Sequence, residues 1–201
     1  MFHRNRFLNM ALSVVALFLF SVGPAPADEV TEAIEEGLKQ YNDGKYTEAT
    51  GSLDYASQLI RQKKSQDLLK LLPEPLSGWT AEEGSSEAVG GAMFGGAVTA
   101  KRTYSKDSSS VSVEFMADSP MLQGMMMMFT NPVFATSDGG KLEKISGQRA
   151  IVKYDASDKT GEIKIIVANR FLVTVSGDGI AKKELTDYAQ AIQYDKLAVM
   201  P

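Results

Sequence analysis

The sequence predicts an α+β fold: an N-terminal helical hairpin packed on a mostly antiparallel sheet that carries two further helices. Three features predict it. Residues 28–72 contain no proline and carry apolar side chains at helical spacing. Beyond Trp79, apolar and polar residues alternate one for one, as on a strand with a single buried face. Two later stretches, about 119–130 and 181–193, return to helical spacing between turn residues. The chain therefore divides into a leader (1–27), a helical hairpin (28–72) and a sheet domain (73–201).

The leader reads as a secretory signal peptide. Met1–Phe7 holds Arg4 and Arg6 and no acid, Leu8–Val22 is apolar, and Gly23–Ala27 ends on small residues. The apolar run is shorter than the roughly 20 residues that span a bilayer core. Cleavage is expected after Ala27, and the chain is expected in the periplasm or outside the cell, with no transmembrane segment in the mature form. Cleavage would remove His3, Arg4 and Arg6 and take the net charge from −4 to −6.

That loss matters for chemistry. The sequence has one histidine and no cysteine, so the mature chain would have neither imidazole nor thiol. Nucleophiles activated by histidine and zinc sites built from Cys and His are excluded, as are disulfides. No Walker loop and no G-x-S-x-G elbow is present. The acidic balance argues against a nucleic-acid partner. Carboxylates, lysines and tyrosines remain, and Asp118, Asp155, Asp178 and Asp187 are the acids to inspect for a carboxylate-based enzyme. Asp155-x-x-Asp158-x-x-Gly161-Glu162 lacks the alternating oxygen ligands of a calcium loop and reads as a solvated turn. No cofactor is expected, and the leading expectation is a protein that is not an enzyme.

Within the hairpin, acids at Glu29, Glu32, Glu35 and Glu36 suit the positive end of a helix dipole. Asn42-Asp43-Gly44 breaks the first helix, and a second runs about 25 residues to Pro73. In the sheet domain, Val98-Ala100-Tyr104 and Val111-Val113-Phe115 form one hairpin. Ala150-Val152-Tyr154, Ile163-Ile165-Val167 and Phe171-Val173-Val175 form later strands, with Asn169-Arg170 as the last tight turn. Leu185, Tyr188, Ala189 and Ile192 line one side of the final helix. Ile151, Ile166 and Leu172 fall on the opposite sheet face and need a cover, for which the N-terminal hairpin is the candidate.

Gly37, Gly44-Lys45-Tyr46, Ala49, Leu53 and Ala56 resemble the small and aromatic positions of a single tetratricopeptide unit. The closing proline and further copies are missing, so the unit is expected to dock on its own domain rather than form a solenoid groove. From Pro73 onward the order of strands and helices resembles a PsbP-like α/β sandwich in outline. Leu72–Trp79, Ala92–Gly96 and Met121–Phe129 resemble segments of an uncharacterised family of exported proteobacterial proteins, a likeness that implies no activity.

The least ordinary stretch is Ser119–Pro132, a capped helix with Met121, Met125 and Met128 on one face and Leu122, Met126 and Phe129 on another. Methionines fill irregular cores, line adaptable binding surfaces, and select Cu(I) through their thioethers. Met93 and Phe94 between paired glycines suggest a flap beside it. The expected contact residues for a hydrophobic ligand or an envelope protein are Met93, Phe94, Met121, Met125, Met128 and Phe129. Cu(I) on Met121, Met125 and Met128 is the alternative.

Overall fold

A computed structural model describes residues 28–88, 96–131, 133 and 139–201. The leader and the Met93–Phe94 segment lie outside the described residues. Helix α1 (Glu29–Asn42) is capped by the Asp28 side chain, which accepts from the Thr31 N–H at 3.0 Å. The chain reverses at Gly44, whose φ of +76° suits a residue without a side chain. Helix α2 (Tyr46–Leu69) then runs back beside α1. Small residues form the seam between them: Ala33 and Gly37 on α1, Ala49 and Ala56 on α2, all buried. A Cβ at Gly37 would sit 2.9 Å from Leu53 Cγ, so the helices approach as closely as glycine allows.

Eight strands follow: β1 (Thr80–Ala81), β2 (Ser85–Ala88), β3 (Val98–Lys106), β4 (Ser109–Ala117), β5 (Lys141–Ile145), β6 (Gln148–Asp155), β7 (Thr160–Val167) and β8 (Phe171–Asp178). They form one sheet in the order β1-β3-β4-β8-β7-β6-β5, with β2 also pairing β3. Every described pairing is antiparallel. Strands β1, β2 and β5 were not foreseen; they are short and largely polar, so they show little alternation. The last tight turn also differs. Its left-handed residues are Ala168 (φ 51°) and Asn169 (φ 54°), one position earlier than expected. Arg170 bonds back to the Val167 carbonyl and takes part in closing the turn.

One sheet face is continuous core. Register sets Val98, Ala100 and Tyr104 opposite Ala117, Phe115 and Val111, and these opposite Phe171, Val173 and Gly177. Ile163, Ile165, Ala150 and Val152 extend the same face. Helix α2 lies there with Leu68, Leu72 just after it joins the same core, and so does helix α4 (Lys182–Gln190) with Leu185, Tyr188 and Ala189. The final helix expected over 181–193 ends at Gln190, and a further short helix α5 (Tyr194–Ala198), absent from that expectation, follows it, with buried Ile192 between them.

The hairpin therefore does not cover Ile151, Ile166 and Leu172. That expectation is corrected: α2 packs on the all-apolar face, whereas the opposite face is broken by Lys101, Glu114, Glu162, Lys164 and Lys153. Burying that row of charged side chains under a helix would carry a desolvation cost that the apolar face does not. Leu172 is nevertheless 6% exposed, and Ile151 and Ile166 are half-buried. The helix nearest to them is α3 (Met121–Thr130), at the end of the sheet. Among the described residues, no helix is long and apolar enough to cross a membrane.

Candidate functional site

Helix α3 is built from the methionine segment, and both of its ends are tied to other elements. Ser119 Oγ accepts from the Met121 N–H at 3.3 Å, one position short of the usual cap, because Pro120 already has helical backbone angles. Just before it, Asp118 has a φ of 56° and receives Lys64 Nζ of α2 at 2.6 Å. The Lys64 side chain is largely buried and also lies 6.0 Å from the centre of the Phe171 ring. At the other end, Arg149 Nη1 donates to the Phe129 carbonyl at 3.3 Å. A cation there satisfies one of the carbonyls a helix leaves unpaired and opposes its negative end.

The helix divides as its periodicity requires. Leu122 and Phe129 are buried and Met126 is half-buried, so this face meets the body of the protein. Met125 is half-buried, while Met121 and Met127 are 63% and 66% exposed. The Met128 side chain lies outside the described residues. Of the three thioethers considered for Cu(I), Met121 points to solvent and Met125 is partly covered, so no converging trio is described. Among the described residues, no cluster of His, Asp and Glu is arranged to hold a metal ion.

Two open hollows flank α3. One, about 370 Å³, is lined by Met126, Phe129, Arg149, Ile166 and Asn169. The other, about 390 Å³, runs from Asp118 and Ser119 past Leu122 and Met126 to Asn169 and Arg170. They share Met126 and Asn169, so they adjoin, with Arg149 lining the first and Arg170 the second. Arg170 is anchored by a 3.0 Å bond to the Met200 carbonyl and lies over the Phe171 ring. Sequence reasoning missed Arg149, Ile166, Asn169 and Arg170. The signal was topological. Ala117 pairs with Phe171 and Val167 also pairs with Phe171, so the chain leaving β4 must start α3 beside the 168–170 turn.

The four acids singled out from the sequence do not meet. Asp118 pairs with Lys64, and Asp187 accepts from Lys183 one turn earlier in α4. Asp155 accepts from the Ser157 hydroxyl and from the N–H groups of Ser157 and Asp158; these bonds hold its carboxyl below the usual range. Asp178 is exposed at the end of β8. What α3 and the two hollows offer is shape, apolar contact and the guanidinium groups of Arg149 and Arg170. No family model, curated protein or solved structure matches this chain.

Proposed function

We propose that the chain is a non-enzymatic, exported interaction module that receives an apolar ligand, or an apolar segment of an envelope protein, along α3. The observation that carries this reading is that α3 is fixed at both ends, by Lys64–Asp118 and by Arg149 on the Phe129 carbonyl, yet leaves Met121 and Met127 in solvent. Leaving large apolar side chains in water forgoes about 1.5–3 kcal/mol each. Methionine's flexible, polarizable chain suits a surface that repacks around varied partners. The leader supports export. The absence of imidazole and thiol after Ala27 supports a role without bond-making.

The test is titration with a fluorescent long-chain fatty acid, beside native mass spectrometry of protein taken from the envelope. Saturable micromolar binding that Met126→Asp weakens at least about tenfold supports the reading. Absence of both probe binding and any retained envelope molecule overturns it.

A further inference from the structure

The helical hairpin carries a second apolar surface, formed by α1 and α2. Ile34, Leu38 and Tyr41 recur at i, i+4 and i+7 on α1, and Tyr46, Leu53 and Ile60 recur at i, i+7 and i+14 on α2. All six are between 43% and 65% exposed. They share one side of the hairpin. The Tyr41 and Tyr46 rings meet at 5.7 Å, and Leu53 lies against Gly37. The polar links between the helices lie on the other side: Ser52 donates to Gln40, Tyr55 to Glu29, and Lys63 pairs with Asp28.

We propose that this face is a dimer interface, covered by the same face of a second copy running antiparallel to the first. Helix α1 supplies the first argument. It has 14 residues and buries only Ala33 and Gly37. Helices of that length are marginal in water without tertiary packing, and its large apolar side chains Ile34, Leu38 and Tyr41 stay 43–59% exposed. Area supplies the second. An aromatic side chain buries roughly 150–250 Å² and an aliphatic one less. The exposed parts of the six come to on the order of 600 Å² per copy, against roughly 800 Å² per partner in a standard interface. Charge supplies the third. Beside Ile34 and Leu38 runs a stripe holding Glu32, Glu35 and Lys39, all exposed and in no ion pair among the described residues. Acid lies toward one end of α1 and base toward the other, so an antiparallel copy brings Lys39 toward Glu32 and Glu35. A parallel copy would set like charges together. The two-fold arrangement is isologous and closes on itself, forming a four-helix layer.

Sedimentation velocity of the purified chain from about 1 to about 100 µM tests this. The expected result is a dimer that Leu38→Glu weakens at least about tenfold while the circular dichroism spectrum is unchanged. Because the chain has no cysteine, Lys39→Cys mixed with Glu32→Cys should oxidise to a cross-linked heterodimer in preference to either homodimer. A monomer at every concentration, a dimer that Leu38→Glu leaves intact, or preferential Lys39→Cys self-linking each overturns the proposal.

Discussion

Gly161 and Gly177 stand directly opposite each other on β7 and β8, and the space their missing side chains leave is filled from α4 and the loop before it. A Cβ on Gly177 would lie 2.1 Å from Ile180 Cδ1. One on Gly161 would lie 2.7 Å from Leu185 Cδ2 and 3.0 Å from the Lys153 carbonyl. The pair sets how closely α4 approaches the sheet. Gly177→Ala is expected to cost about 1–3 kcal/mol by overpacking. Adding Ile180→Val should recover part of that loss, because it removes the methyl that clashes. Urea unfolding of both single variants and the double variant measures the coupling.

Tyr104 donates its hydroxyl to the Pro73 carbonyl at 2.6 Å, joining the end of the hairpin to the sheet, and its ring packs 4.6 Å from that of Tyr188. Burial pushes the Tyr104 hydroxyl up to about 12 and raises Tyr188 and Tyr194 as well. A raised tyrosine favours the protonated folded state. Its contribution is complete below pH 10, the ordinary value, and is lost as pH rises through the folded value. Tyr104→Phe should therefore cost about 1–2 kcal/mol near neutral pH. Arg102, 3.4 Å from the same carbonyl, limits that cost. The deficit against wild type should shrink between about pH 10 and 12, where the wild type alone loses the Tyr104 contribution. Thermal melts across that range, with tyrosinate absorbance as a second readout, check both parts.

Glu184 titrates in the opposite sense. The Lys106 ammonium at 3.0 Å and the Ala181 N–H at 3.3 Å hold its carboxyl below the ordinary value. Its stabilising contribution is present above the ordinary value and is lost as pH falls through the lower folded one. Glu184→Gln should be less stable than wild type near neutral pH. The difference should fade between neutral pH and acid pH below the lowered folded value, where wild type is protonated too. Equal destabilisation at both pH values would mean that the ionic contact with Lys106 contributes nothing.

Much of the fold was legible because its signals are local. Pro73, Gly44 and the alternation in Val111-Val113-Phe115 each act on neighbouring residues. The break between α4 and α5 was not legible, since Ile192 continues the apolar stripe although the helix has ended. Which sheet face the hairpin covers was misread for a similar reason. Ile151, Ile166 and Leu172 mark an incompletely polar face, but the choice depends on comparing two whole faces after register is known. Met121 and Phe129 lie on one helix, where their spacing put them. Arg149 and Arg170 were missed because they join α3 only through turns brought together by strand pairing.

Two residues of α3 separate packing from recognition. Phe129 is 6% exposed and its carbonyl receives Arg149, so Phe129→Ala should remove buried contacts and cost about 3 kcal/mol. Met121 is mostly in solvent, so Met121→Gln should change stability by less than about 0.5 kcal/mol. If α3 serves only to close the end of the sheet, Met121→Gln is silent in every assay. If α3 receives apolar partners, the same substitution weakens fatty-acid probe binding severalfold with the melting temperature unchanged, because polarity at position 121 matters only when something apolar lies against it. A loss of stability at Met121 equal to that at Phe129 would contradict both readings and mean that this side of the helix is packed in solution.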